Sequence, residues 1–218
     1  VTTGSAVSEM VDALDGLPTE PPSIYMDLEG APLSRYDTIS ILQIHVHPTK
    51  TIYLIDVQSL GEKCFSTPGK CLKTLRDILK SPLIPKVFFD VRSDSDALFA
   101  LFTITLDGVL DLQLMEFATR SVLRKRFVRS LTSCVMNDSP LSSAKKSSWK
   151  SVKEQGRLLF TPKSGGSYEV LNERPLRQDI LRYCAQDVSV MPVLWSVYDS
   201  KITQEWKQKV VVASRDRV

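Results

Sequence analysis

SIYMDLEGAPLSRYDTISILQIHVHPTKTIYLIDV, residues 23–57, decides the fold. Three runs within it, SIYMDLEG (23–30), TISILQIHVH (38–47) and TIYLIDV (51–57), read as strands, and Pro48 marks a turn between the last two. Joined in order, they make an antiparallel meander. The first strand is unusual because Asp27 and Glu29 interrupt its apolar run. Alternation puts both acids on one face, about 7 Å apart along the strand, with Met26 and Leu28 on the other.

Downstream the pattern changes. KVFFDV (86–91) reads as a buried strand, DSDALFALF (94–102) as a helix, and GVLDLQLM as a short strand entering another helix. Acids in the first turn of the 94–102 helix suit the positive end of its dipole. Strands that alternate with helices call for parallel pairing under helical cover. The expected architecture is therefore a mixed α/β sheet flanked by helices. Leu72, Leu75, Ile78 and Leu79 predict a helix from Cys71 to Leu79, closed by Pro82. The Ser-rich stretch 137–148 is expected as a loop, and SWKSVKEQGRLL as a short helix interrupted at Gly156. From Pro175 onward one or two long helices are expected, with a kink or restart at Pro192. Residues 1–22, with Pro18, Pro21 and Pro22, read as a short helix or arm before a single domain over 23–218.

Composition sets the outer limits. The 218 residues include 28 Lys and Arg against 25 Asp and Glu, a net +3, and 43% are hydrophobic. Such a chain hides enough apolar surface to fold without staples. No window is apolar enough for a membrane span, and VTTGSAVSEM lacks the features of a signal peptide. The chain begins at Val1 rather than methionine, which leaves an upstream targeting segment open. Cys64, Cys71, Cys134 and Cys184 form no CxxC pair and fit free thiols in a reducing compartment, so an intracellular setting, nucleus or cytoplasm, is expected. His45 and His47 share a strand face and are expected at the surface rather than as a zinc pair.

Two further acids stand out. Asp94 opens a helix just beyond KVFFDV, and Asp187 follows Tyr183 by four residues in RYCAQDV, on one helix face. Carboxylates drawn together repel and resist burial, so a cation must offset them. Oxygen ligands suit Mg²⁺ or Mn²⁺, and such a cluster could hold two ions about 4 Å apart, an arrangement used in phosphoryl transfer. The plainer alternative is that each acid is a cap or a solvated charge, and Asp111 in VLDLQ reads first as an N-cap.

Taken together, YMDLEG, KVFFDVRSDSDALF and RPLRQDILRYCAQDV resemble the three ordered motifs of the DEDD-type 3′–5′ exonucleases. The match is to the Tyr-containing branch related to ribonuclease D and to eukaryotic exonuclease-domain proteins, with a 137–170 stretch similar to fungal-looking members. The resemblance runs from about residue 23 to 198 and implies a ribonuclease H-like sheet of five or six strands. It implies Asp27, Glu29, Asp94 and Asp187 as metal ligands for two ions, Mg²⁺ or Mn²⁺, and Tyr183 as the residue that orients the attacking water. The expected product is a nucleoside 5′-monophosphate released from a 3′ end. Asp111 and Gln113 match a further family stretch, and Phe89 stands where many relatives carry His. Some eukaryotic relatives have lost acids and serve as RNA-binding adaptors. That is the alternative function, in which activity is weak or missing; here the full set of acids is present.

Charge layout points toward the substrate. Residues 120–163 hold eleven basic side chains against Asp138 and Glu154, a net +9. This basic insert could track a phosphate backbone, with Arg124, Lys125, Arg126, Arg129, Lys145 and Lys146 as candidates. Residues 1–60 carry eight acids and two bases, a net −6. The expected partner is single-stranded RNA or DNA with a free 3′ end, RNA favoured. Phe89 could pack in the core or lie under a nucleotide. In the family the residue between the two acids lies near the terminal base, which makes Leu28 a candidate wedge, with core packing as its alternative. The helical setting of Trp195 and Trp206 favours core packing over stacking on bases.

Overall fold

A computed structural model of the chain describes residues 1–30, 35, 36, 38–121 and 125–218. Its centre is β1 (Ile24–Gly30), which pairs antiparallel with β2 (Ile39–Val46) and parallel with β4 (Lys86–Phe88). On one flank β3 (Thr51–Asp56) pairs antiparallel with β2, and on the other β5 (Val109–Asp111) pairs parallel with β4. Among the described residues the sheet has five strands in the order β3-β2-β1-β4-β5. The meander and the later parallel strands therefore meet at β1.

Alternation along β1 divides the core. Ile24, Met26 and Leu28 join one apolar cluster, and Tyr25 joins the other. The first cluster is covered by α1 (Gly4–Leu14), α2 (Val57–Leu60), α3 (Lys63–Ser66), α4 (Leu75–Lys80) and α5 (Arg92–Phe102). The second is covered by α6 (Leu112–Thr119), α7 (Leu131–Asp138), α8 (Ser143–Phe160), α9 (Gln178–Asp199) and α10 (Gln204–Arg215). The N-terminal segment, read as a short helix or arm, supplies α1, whose Val7, Met10, Val11 and Leu14 are buried in the first cluster. Burial of this kind stabilises by roughly 1.5–3 kcal/mol per side chain.

Several expectations are corrected. The Cys71–Leu79 helix begins only at Leu75, because a capping box between Thr74 and Asp77 starts it there. The strand over 86–91 stops at Phe88, and Asp90 turns the chain with φ 64°. Residues 137–148 are mostly helical, with Ser142 capping α8. Gly156 does not interrupt α8, and α9 runs through Pro192 to Asp199. The lost backbone bond at a proline is outweighed there by the buried face of α9, which includes Val188, Met191 and Leu194. His45 is buried rather than at the surface, while His47 is exposed. All four cysteines are free. Among the described residues no helix is long and apolar enough to cross a membrane.

Candidate active site

Asp27 and Glu29 project from β1 on the face opposite Met26 and Leu28, toward α9. Tyr183 and Asp187 stand one turn apart on the buried side of α9. Carboxylate oxygens of Asp27, Glu29 and Asp187 come within 4.8 Å of one another. The Gln43 amide on β2, its nitrogen turned toward β1, donates to the Asp27 carbonyl at 2.8 Å and to the Asp27 carboxylate at 3.3 Å.

Asp94 sits apart from this trio. On the first turn of α5, it accepts the backbone N–H of Leu28 at 3.0 Å and is 5% exposed. It remains close enough to repel Asp27 and Glu29. The loop that delivers it is clamped from below. Asp111 caps α6 through the Gln113 N–H at 2.9 Å and also accepts the backbone N–H groups of Asp90 and Val91 at 3.1 and 3.2 Å. Arg217 donates to Asp111 at 2.7 Å and to Gln113 at 3.0 Å. Asp111 is thus an anchor for the left-handed turn at Asp90 rather than a fifth member of the cluster.

The electrostatics follow from crowding. Burial raises Asp27 and Asp94 well above the usual carboxylate range, and repulsion among the acids adds to it. Burial pushes Glu29 up to about 7, against the pull of Lys153. Asp187 is also raised by burial and drawn back by Lys153, and its Oδ1 is buried with no hydrogen-bond partner. An all-oxygen donor set at this spacing, with an orphaned carboxylate oxygen, fits a hard divalent cation. Burial and the neighbouring acids hold the Tyr183 phenol far above its ordinary range, so it stays protonated.

Two residues on α8 belong to the site and escaped the sequence reading. Lys153 pairs with Asp187 Oδ2 and donates to the Tyr183 hydroxyl at 3.0 Å, with its ammonium 4.4 Å from the Tyr183 ring centroid. Burial works against its charge, but Asp187 and Glu29 hold the ammonium above its usual range. Gly156, one turn further on, is buried against Tyr183; a Cβ there would come within 2.5 Å of Tyr183 Cδ2. Phe160 closes the same side, its ring 5.2 Å from that of Tyr183 at 65°. A lysine within a basic run and a glycine within a helix gave no signal in the sequence. Only the α8–α9 contact reveals them.

The substrate candidates fall out differently. Leu28 takes the core alternative at 3% exposure, because alternation turns it away from the acids. Phe89 is half-buried against the second core cluster. Arg129 pairs with Glu116 at 3.3 Å and Asp138 at 3.6 Å. Lys125 donates to the Ala118 carbonyl at 2.9 Å and lies 3.4 Å from the Trp206 ring centroid. Arg126 covers Phe127 at 5.1 Å, and Lys146 donates to the Met136 carbonyl at 3.0 Å. Lys145 is exposed on α8, and Arg124 lies outside the described residues.

Comparison with known proteins places the chain in a family. Residues 1–197 match the 3′–5′ exonuclease domain family, and the chain belongs to it. Ribonuclease D of Trypanosoma brucei, solved in complex with RNA U12, superposes with a TM-score of 0.72 at 24% identity, covering 99% of this chain and 66% of that one. Escherichia coli ribonuclease D gives 0.63 at 18% identity, covering 100% of this chain and 48% of the other. Brucella melitensis NrnC with bound Mg²⁺ gives 0.62 at 19% identity, with 93% and 87% covered. The chain thus spans about half to two thirds of these ribonuclease D chains. No curated protein sequence matches it. The five-stranded mixed sheet is the ribonuclease H-like exonuclease fold of the ribonuclease D structures.

Proposed function

We propose that the protein is a metal-dependent 3′–5′ exonuclease of the Tyr-containing DEDD branch. Its substrate is single-stranded nucleic acid, RNA favoured, and its product is nucleoside 5′-monophosphate. The observation that carries this reading is the convergence of Asp27, Glu29 and Asp187 oxygens within 4.8 Å, beside the Tyr183 phenol. The preference for RNA draws on the T. brucei ribonuclease D solved with RNA U12, and the ion on NrnC with bound Mg²⁺.

Asp27 and Asp187 would hold one Mg²⁺ or Mn²⁺, and Asp27 with Glu29 and Asp94 a second. Such ions supply charge neutralisation at the scissile phosphate and a nucleophile at neutral pH. The side chains do the rest. Asp27 is fixed by Gln43, so its carboxylate keeps one orientation. Tyr183, protonated and packed under Phe160, lies beside Glu29 and accepts from the Lys153 ammonium at 3.0 Å. It is suited to orient a water by its hydroxyl and unsuited to act as a free base. Asp94 stays tied to the backbone between the two strand acids, which fixes the spacing between β1 and α5.

The test is a ladder assay on 3′- and 5′-labelled RNA and DNA with and without Mn²⁺, with Asp27→Asn alongside. The expected result is stepwise loss from the 3′ end that needs Mn²⁺. Asp27→Asn is expected to slow it at least about 100-fold while leaving the fold intact, as a melting curve beside it checks. Cleavage by Asp27→Asn near the wild-type rate would overturn the assignment.

A further inference from the structure

The acids of the site are not the whole of its charge. Lys153 reaches in from α8 and spends its ammonium on Asp187, one of the three converging carboxylates, and on the Tyr183 hydroxyl at 3.0 Å. Its side chain is only 20% exposed, and its ammonium lies 4.4 Å from the Tyr183 ring centroid, where Gly156 lets α8 approach Tyr183 closely. A univalent cation is thus built into the place where the donor set calls for a divalent one. An ammonium and a divalent ion repel each other, and Asp187 Oδ2 cannot serve both fully.

We propose that Lys153 is a built-in counter-ion that competes with the divalent cation for Asp187, so that metal loading requires the ammonium to swing out. Three crowded carboxylates are destabilising without positive charge, and Lys153 supplies part of it from within the chain. The consequence is a site that holds its shape at low metal concentration and binds metal more weakly than its acids alone would. Lys153 is a positioning residue in this scheme, acting through Asp187 and Tyr183. The inference rests on reading the acids as a metal centre.

The test measures Mn²⁺ binding directly, by calorimetry or by the electron paramagnetic resonance signal of free Mn²⁺. It uses wild type, Lys153→Met and Lys153→Arg at one pH. Lys153→Met is expected to bind Mn²⁺ about tenfold tighter, with Lys153→Arg staying near wild type because it keeps the charge. Binding by a folded Lys153→Met no tighter than wild type overturns the proposal while leaving the metal centre intact. Failure of both proteins to bind any Mn²⁺ overturns the metal centre and the proposal with it. A second measurement needs no variant: acylation of Lys153 by a succinimidyl ester, followed by peptide mass spectrometry, with and without saturating Mn²⁺. Labelling is expected to rise severalfold with Mn²⁺; labelling that stays level or falls overturns the proposal.

Discussion

Asp27, Glu29 and Asp187 stand out in the sequence alone, because a charge within a buried run is expensive and must be compensated. Lys153 does not, because a lysine in a run with net +9 looks like any solvated base. The same crowding gives Glu29 a measurable pH signature. Its carboxyl is pushed up to about 7, from 4.5 in an unfolded chain. Between those values the folded state binds more protons than the unfolded state, so Glu29 contributes stability below about 4.5 that is lost as pH rises through about 7. In metal-free buffer the melting temperature of wild type, relative to Glu29→Gln, is expected to rise on acidification from pH 7.5 toward 5.5. Differential scanning calorimetry of the two proteins across that range checks it. A difference that stays flat would place the Glu29 carboxyl in its ordinary range.

Elements were legible where one signal dominated. β1, β2 and β3 are apolar runs bounded by loop or turn residues, and their spans fall within a residue or two of expectation. Failures came where local and tertiary signals compete. Thr74 and Asp77 cap α4 after Leu72 has already begun the helical spacing, and Leu72 itself adopts φ 61° outside the helix. Gly156 reads as a breaker from propensity alone, yet α8 keeps its helix through it because the glycine makes room for Tyr183. Gly156→Ala is therefore expected to act on the active site more than on the helix. Overpacking there costs about 1–3 kcal/mol. Displacing Tyr183 by a fraction of an ångström is expected to slow 3′-end hydrolysis roughly 10- to 100-fold, with Tyr183→Phe as the comparison. Single-turnover rates beside melting curves separate the two effects; an unchanged rate would mean that α8 and α9 part without disturbing Tyr183.

Across the whole molecule, the meeting of a meander and a parallel pair at β1 is what sets the site at the end of that strand. Sequence order alone suggested the topology, but could not say that α9 would cross the same face as Asp27 and Glu29. Charge layout was legible as totals and misleading as availability. Of the eleven basic residues from 120 to 163, Arg120, Arg129, Lys153 and Arg157 are paired with protein acids, and Lys125 lies on Trp206. The slope of log affinity against log salt for a single strand is accordingly expected to stay well below the magnitude of roughly 8 that eleven free cations, at about 0.7 each, would give. Fluorescence anisotropy with labelled oligonucleotide, in Ca²⁺ or on Asp27→Asn, measures it. A slope near the full value would mean that the internal pairs open when nucleic acid binds.

One bond carries a use of its own. The amide of Leu28, between the two strand acids, gives its proton to Asp94 rather than to a neighbouring strand. That proton is a spectroscopic reporter placed by the fold. In a two-dimensional nitrogen–proton spectrum its resonance is expected to shift whenever the Asp94 carboxyl gains a proton or an ion. It reads the loading of the site one residue from each acid, with no probe attached.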